Sequence, residues 1–260
     1  MKFVFDLDGT ICFRGKPVSE PIRTSLLDLI RERHEVIFAS ARPIRDMLPV
    51  LDERFHRCTL IGGNGSLISI NGKVTHAFAF SAETFLQLQS LIRTFHAKFL
   101  MDGEWDYAYT GPNGHPILQN VDPAKLAKQV DPESLSSVVK ILILSSDHQE
   151  KLAEKLSELD VVVNIHRNED ALDISPSGVS KWGALQALGV REGGYIAFGN
   201  DANDISMFEH ALHSVMIGEY EPLSRYAKEA VSLEGEYEQK IAQKIKELSR
   251  QGLDEQRPIP

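Results

Sequence analysis

Short apolar runs that alternate with amphipathic stretches dominate the first part of the chain. Three of these runs, KFVFDL, EVIFAS and CTLI, are rich in bulky apolar residues and are closed by polar ones. The segments between them, SEPIRTSLLDLIRER and RPIRDMLPVLDERF, carry apolar residues at helical spacing, although Pro49 predicts a break in the second. The order strand, helix, strand, helix, strand predicts a parallel sheet with covering helices.

The pattern changes in the middle of the chain and returns later. SLISINGKVTHAFAF holds Asn71 and Gly72 between alternating runs, which predicts a tight hairpin. Strands and helices then mix as in antiparallel α+β domains, with a strand pair predicted in FLMDGEWDYAYTG and a short helix in PAKLAKQV. VSKWGALQAL, YIAFG and HSVMIG restore the first pattern, and the amphipathic helix EQKIAQKIKEL precedes a tail, LDEQRPIP, that we expect to be loose.

These two patterns predict a discontinuous fold. The fold class is α/β, with a doubly wound parallel-sheet core built from residues 1–79 and 176–260. An inserted α+β domain occupies residues 80–175 between the two core segments. The chain has 260 residues, with 42% hydrophobic and 25% charged, which is enough for two moderate domains with an ordinary globular balance.

Charge and composition narrow the choice of partners. The net charge of −9 argues against nucleic acid or an anionic membrane as the main partner. No apolar run approaches the ~18 residues that span a bilayer, and two early aspartates argue against a secretory signal. Two distant cysteines, Cys12 and Cys58, give no disulfide framework and favour a reducing compartment. We therefore expect a cytoplasmic protein, monomeric or weakly homodimeric, without nucleic-acid or membrane partners.

Four polar clusters fall where predicted strands give way to helices, and in doubly wound sheets ligands bind at such places. They are DLDGT at 6–10, SAR at 40–42, Lys181, and NDAND at 200–204. Each cluster alone is more often a turn, a helix cap or a solvated residue. Together they offer oxygen ligands, which Mg²⁺ prefers, and a hydroxyl and an ammonium, which suit phosphate.

In this order, DLDGT, SARP, SKWGAL and GNDANDISMF resemble the four motifs of the haloacid-dehalogenase-like (HAD) superfamily. The large insert between the second and third motifs, and the NG at 64–65, are similar to the Cof-like branch of phosphatases, which carry a large α/β cap there. The resemblance covers the core segments, while the insert matches in size, position and texture only. It implies a HAD-like Rossmannoid core with an inserted cap, and Mg²⁺-dependent hydrolysis of a small phosphorylated metabolite such as a sugar or cofactor phosphate.

The same resemblance implies a role for each matching residue. Asp6 would be the nucleophile that becomes an aspartyl phosphate, and Asp8 would protonate the leaving alkoxide and then activate water. The phosphate would be held by Ser40, Lys181, Asn203 and the backbone at Leu7 and Ala41, and Mg²⁺ by Asp6, Asn200 and the Asp8 carbonyl. Thr10, Asp204 and Asp201 would support these groups from behind, and Arg42 and Asn64 are candidate substrate contacts.

One position departs from the family pattern. The fourth motif most often reads Gly-Asp-x-x-Asn-Asp, whereas Asn200 stands here at the first aspartate. An amide oxygen reaches the same place without the charge, so we expect weaker Mg²⁺ binding at a retained site, with Asp201 restoring part of the charge through water. Two other functions stay open: a sugar phosphomutase, and a catalytically weak protein that binds a phosphorylated ligand. Retention of Asp6 and Asp8 argues against the second.

Overall fold

The fold contains two β-sheets, and the computed structural model describes residues 1–166 and 171–254 of it. The larger sheet has eight strands and the smaller sheet has five. The larger sheet begins with β1 (Lys2–Phe5), β2 (Glu35–Ala39), β3 (Thr59–Gly62), β4 (Leu67–Ile70) and β5 (Lys73–Ala77). The smaller sheet contains β6 (Lys98–Asp102), β7 (Tyr107–Tyr109), β8 (Lys140–Ser145), β9 (Val161–His166) and β10 (Ala171–Pro176). The larger sheet is completed by β11 (Tyr195–Gly199), β12 (His213–Ile217) and β13 (Glu229–Val231).

The α-helices cover these sheets and connect their strands. Among the described residues none of the helices has the length and apolarity needed to cross a bilayer. In chain order they are α1 (Glu20–Arg31), α2 (Ile44–Met47), α3 (Ala82–Thr94), α4 (Gln149–Ser157), α5 (Lys181–Ala187), α6 (Ile205–Glu209), α7 (Glu221–Ser224) and α8 (Tyr237–Asp254).

The larger sheet has the strand order β13-β12-β11-β1-β2-β3-β4-β5. Strand β1 lies between β2 and β11 and pairs in parallel with both. Successive side chains of a strand point to opposite faces, so Phe3 and Phe5 pack in an apolar cluster with α1 and α8, whereas Val4 packs on the other face with α5 and α6. Strands β13, β12, β11, β1, β2 and β3 run parallel, and β4 and β5 form an antiparallel hairpin at one edge. Helices on both faces of this mainly parallel sheet confirm the predicted doubly wound α/β class.

Two local features of the core follow from single residues. Asn71 and Gly72 have φ angles of 53° and 77°, as a two-residue hairpin turn between β4 and β5 requires. Pro49 ends α2, and residues 48–50 form a 3₁₀ turn instead of continuing the α-helix. Both the hairpin and the break were predicted from the sequence. The short α2 packs on β3 and β4 of the larger sheet and also contacts the smaller sheet through Arg45.

The smaller sheet is antiparallel, with the strand order β7-β6-β8-β10-β9. One face packs against α3 and α4 through an apolar cluster that includes Ile141 and Ile174. The opposite face carries three buried charged residues at the end nearest the larger sheet: Asp102, Lys140 and Asp173. We propose that the predicted division holds, with residues 1–79 and 176–260 forming the core and residues 80–175 forming the cap.

The predicted short helix in PAKLAKQV is wrong. Residues 123–130 form turns and an isolated bridge to Tyr107, and Lys125 has a φ of 53°, which an α-helix does not allow. The Asp122 carboxylate accepts the backbone N–H groups of Leu126 and Ala127 at 2.6 and 3.1 Å. These local bonds take the place of helical ones. Most of the predicted loose tail, residues 255–260, lies outside the described residues.

Candidate active site

The predicted site residues meet at the carboxyl edge of the larger sheet. Asp6 follows β1, Ser40 follows the neighbouring β2, and Asn200 follows β11 on the other side. Lys181 begins α5, with Ser180 capping the helix by accepting the Gly183 N–H at 3.0 Å. The central place of β1 in a parallel sheet brings residues from both ends of the sequence into one cluster.

A buried ion-pair chain forms the centre of this cluster. The Lys181 ammonium donates to Asp6 Oδ1 and to Asp204 Oδ1, at 2.6 Å in each case, and all three side chains are buried. The second oxygen of Asp204 accepts the backbone N–H groups of Asn200 and Asp201 at 2.7 and 3.0 Å. Asp204 therefore orients Lys181 and also fixes the loop that carries Asn200.

Burial and neighbouring charges set the protonation of this pair. Burial raises the pKa of Asp6 to about 7, and the Lys181 ammonium opposes that rise. Burial lowers the pKa of Lys181, but the carboxylates of Asp204 and Asp6 outweigh it, so the net direction is upward. Lys181 is therefore charged at neutral pH. Asp6 is poised close to ionisation, which is unusual for a carboxyl group and typical of a functional site.

Three oxygen-bearing groups surround the side-chain amide of Asn200: the Thr10 hydroxyl, the Asp8 carbonyl and the Asp6 carboxylate. Thr10 Oγ1 donates to Asp6 Oδ2 at 2.9 Å and lies 3.0 Å from a terminal amide atom of Asn200. The same amide atom lies 3.0 Å from the Asp8 carbonyl oxygen and 3.1 Å from Asp6 Oδ2. If this atom is the amide nitrogen, it donates to these three oxygens. If the amide is turned over so that this atom is the oxygen, it joins the Asp8 carbonyl and Asp6 Oδ2 as a candidate metal ligand. Gly9, with a φ of 82°, permits this approach, because a Cβ there would lie 2.3 Å from the Asn200 amide.

The Asp8 carboxylate is held by a fork from Arg42. Arg42 Nε and Nη2 each donate to one oxygen of Asp8 at 2.7 Å, and the Asp8 side chain is about half exposed. Arg42 Nη1 also donates to the Asp46 carbonyl at 3.3 Å. Arg42 is thus placed beside the predicted proton donor, in addition to being a candidate substrate contact. A bidentate fork fixes the direction of a carboxylate better than a single bond does.

Ser40 lies directly after the carboxyl end of β2, on one side of the cluster around Asp6. Ser40 is buried, and its hydroxyl accepts the Arg42 N–H at 3.1 Å while keeping its own hydrogen to donate. Leu7 is buried on the opposite side, where its carbonyl accepts the N–H groups of a tight turn. Asp201, predicted to stand behind the metal ligands, is exposed and accepts the Ala202 N–H at 2.7 Å, so it caps a 3₁₀ turn.

The cap supplies two charged side chains that sequence analysis missed. Lys140 Nζ donates to the Ala41 carbonyl and contacts Asp173 Oδ2, at 2.9 Å in each case. Asn64 Nδ2 donates to the same Asp173 oxygen at 3.4 Å, and Asn64 Oδ1 accepts from Asn203 Nδ2 at 3.0 Å. The sequence carried one sign of these residues: Lys140 in VVKILILS and Asp173 in ALDISP are charged residues inside otherwise apolar predicted strands.

An α/β sheet with a buried aspartate–lysine pair at its carboxyl edge, together with a second antiparallel sheet, is typical of a capped α/β enzyme. Residues 3–233 match the haloacid dehalogenase-like hydrolases, and the chain belongs to this family. The Bacillus subtilis protein named "Putative phosphatase YkrA" is 25% identical over 257 residues, which cover 94% of this chain and 96% of that protein.

Solved structures share the fold at low sequence identity. TM0651 from Thermotoga maritima matches with a TM-score of 0.78 and 22% identity, over 95% of this chain and 96% of that one. The HAD subclass IIB sugar phosphatase BT4131 matches with a TM-score of 0.73 and 17% identity, over 95% of this chain and 98% of that one. The predicted family and the predicted fold class are both confirmed.

Proposed function

We propose that this protein is a Mg²⁺-dependent phosphatase that hydrolyses a small phosphorylated metabolite through an aspartyl phosphate on Asp6. The observation that carries the proposal is the placement of Asp6, buried at the end of β1 with Lys181 on one oxygen and Thr10 on the other. Two fixed donors leave the carboxylate only limited freedom to rotate. A carboxylate held in this way is oriented to attack the phosphorus atom of a bound phosphate ester.

The surrounding residues suit the charges of phosphoryl transfer. Lys181, the Ser40 hydroxyl and the Asn203 amide offer donors to the phosphate oxygens, as do the backbone N–H groups of Leu7 and Ala41. Positioned donors of this kind supply most of the stabilisation in phosphoryl transfer. The Asp8 carboxyl would protonate the departing alkoxide and would then take a proton from the water that attacks the aspartyl phosphate.

The oxygen atoms near Asn200 fit a magnesium ion. With the amide oxygen turned inward, it lies 3.0 Å from the Asp8 carbonyl and 3.1 Å from Asp6 Oδ2. An octahedral Mg²⁺ with bonds of about 2.1 Å needs neighbouring ligands about 3.0 Å apart. Among the described residues no cluster of three or more His, Cys, Asp or Glu side chains could hold a metal. The proposed magnesium ligands include one carboxylate side chain, that of Asp6, together with a carbonyl and an amide oxygen. When bound, the ion would neutralise charge on the nucleophile and the phosphate.

The cap residues support a polar, hydroxyl-bearing leaving group such as a sugar. Lys140 donates and Asp173 accepts within one buried pair, and Asn64 does both beside them. Hydroxyl groups donate and accept equally, so they match this mixture better than an apolar group does. A sugar phosphate or a cofactor phosphate with free hydroxyls is therefore the substrate class that we propose.

A panel of phosphorylated compounds tests the proposed function. Sugar, nucleotide-cofactor, alkyl and aryl phosphates are each incubated with the protein, with Mg²⁺ and with chelator, and free phosphate is measured. We expect release from at least one compound with Mg²⁺ and a fall to background with chelator. Isomerised sugar phosphate without release, seen by phosphorus NMR, would identify a mutase instead. Tight binding without release from any compound would overturn the phosphatase proposal.

Asn200→Asp should strengthen Mg²⁺ binding on the order of tenfold, because it adds a negative charge to the ligand set. The same change should lower the melting temperature in chelator, because a carboxylate cannot donate to the Asp8 carbonyl and Asp6 Oδ2. Calorimetric titration with Mg²⁺ and melting curves in both conditions measure the two effects. Asn120→Asp, at an exposed loop position, is the matched control. Unchanged Mg²⁺ affinity in Asn200→Asp would contradict the proposed ligand set.

A further inference from the structure

Arg45 in α2 is a core residue whose guanidinium is buried against the cap. It is only 1% exposed and is the first of the largest fully buried side chains in the described residues. Its Nη2 is paired with Asp102 at the end of β6, and its Nη1 donates to the Trp105 carbonyl at 2.9 Å. The guanidinium carbon lies 4.9 Å from the centre of the Tyr107 ring in β7. One core side chain therefore contacts three successive parts of the cap.

The next residue adds another contact between core and cap. Asp46 is 3% exposed, and its Oδ1 accepts the backbone N–H of Asp122 in the cap at 2.8 Å. Burial raises the pKa of Asp46 to about 6, and the charge of Arg45 opposes that rise. Apart from Arg45 Nε, which has no hydrogen-bond partner among the described residues, the charged groups of this interface are matched in position, as buried charges require.

The opposite side of α2 reaches the active site. Arg42, two residues before α2, donates through Nη1 to the Asp46 carbonyl at 3.3 Å. The remaining guanidinium nitrogens of Arg42 hold both oxygens of Asp8 at 2.7 Å. A continuous set of contacts therefore runs from Asp102 in the cap, through α2, to the carboxyl group that would serve as proton donor.

We propose that Arg45 is a positioning residue that, through α2 and Arg42, couples the seating of the cap to the orientation of Asp8. The proposal rests on the proposed phosphatase function. Buried ion pairs add little net stability compared with apolar packing, but they define one arrangement sharply. A buried arginine that joins the cap to a single helical turn fits this role of defining geometry.

Substrates with different leaving groups separate this role from a purely structural one. An alkyl phosphate departs as a basic alkoxide, which needs a proton from Asp8, whereas p-nitrophenyl phosphate departs as a stable phenolate that needs little help. A change that disturbs only Asp8 should lower kcat/KM selectively for the alkyl substrate, because this ratio reports the steps up to departure of the leaving group and not the later hydrolysis of the aspartyl phosphate, which both substrates share. A change that merely loosens the protein or the cap should slow both substrates alike.

Asp102→Asn tests the proposal while keeping the size of the side chain. We expect kcat/KM for an alkyl phosphate to fall on the order of tenfold to a hundredfold, part of the usual worth of a general acid, with less than about a threefold change for p-nitrophenyl phosphate. Arg45→Lys, which keeps the charge but loses the fork, should show the same selectivity. Asp147→Asn, an exposed cap carboxylate paired with His96, is the matched control and should change neither.

A double-mutant cycle makes the test decisive. If the cap acts through Asp8, Asp102→Asn should have no further effect on alkyl phosphate turnover in an Asp8→Asn background. Equal losses for both substrates, or full additivity of the two changes, would overturn the inference while leaving the phosphatase function in place. Absence of phosphate release by the unmodified protein from every compound in the panel would instead overturn the proposed function, and this inference with it.

Discussion

Asp6→Asn should reduce phosphate release on the order of a millionfold, as expected when a nucleophile is removed. The amide has nearly the same shape, and its oxygen can still accept from Lys181 while its nitrogen donates to the Thr10 hydroxyl, but it cannot form an acyl phosphate. Because burial already disfavours the charged form of Asp6, the neutral amide should leave the fold intact and its melting temperature equal or higher. A phosphate-release assay and a melting curve on the same sample measure both effects.

The matched control for this change is Asp131→Asn, an exposed aspartate in the cap. It makes the same chemical change far from Asp6 and should alter activity by less than about twofold. Persistent activity in Asp6→Asn, with the fold intact, would show that a different residue is the nucleophile. A protein that lost activity because it no longer folded would be recognised by its melting curve.

Lys181→Met should lower both stability and activity. The change leaves Asp6 and Asp204 buried without their shared cation, a type of loss that costs about 3–5 kcal/mol. Phosphate release should fall on the order of a hundredfold to a thousandfold, because a donor to the transferring group is lost. Denaturant unfolding and steady-state kinetics measure the two effects.

The stability loss in Lys181→Met should also depend on pH. Burial raises the pKa of Asp6 to about 7 even with Lys181 present, and losing the ammonium removes the effect that opposes this rise. An aspartate with a raised pKa gives the folded state relative stability when it is protonated, and the pKa of Asp6 lies higher in Lys181→Met than in the parent. The penalty should therefore shrink as the pH falls toward about 7 and change little below it, where both proteins hold Asp6 protonated. Lys151→Met, at an exposed position of α4, should stay within about 0.5 kcal/mol of the parent at every pH. A penalty for Lys181→Met that is the same at pH 5 and pH 8 would contradict the assigned pairing.

Local sequence signals predicted much of the fold. Asn71 with Gly72 predicted a hairpin because few residue pairs tolerate two positive φ angles. Pro49 predicted a break because its ring removes a helical hydrogen bond. The helix predicted in PAKLAKQV does not form, because the Asp122 carboxylate competes with the helix for the backbone N–H groups. Such competition depends on the three-dimensional path of the loop, which the apolar pattern does not show.

The candidate site, like the fold, was predicted from the sequence only in part. Residues at strand ends, such as Asp6 and Ser40, were predicted because parallel strands place their carboxyl ends together. The fork from Arg42 to Asp8 and the buried contact of Arg45 with the cap were not predicted. The first depends on the paths of the loops that follow β1 and β2, and the second depends on how the two sheets meet; a single sequence carries no periodic signal for either. Lys140 and Asp173 were detectable only as charges within apolar strands.

The position of β1 between β2 and β11 also bears on how the protein is made. On the ribosome, Lys2–Phe5 is synthesised early, whereas its partner Tyr195–Gly199 appears only after the whole cap has been translated. Until then one side of β1 has no strand to pair with, and Asp6 lies apart from Lys181. Contacts between such distant parts of a chain form slowly. Asp6, the proposed nucleophile, therefore gains its contacts with Lys181 and β11 only after residues 80–175 have been translated, so we expect no phosphatase activity from a nascent chain that ends before Lys181.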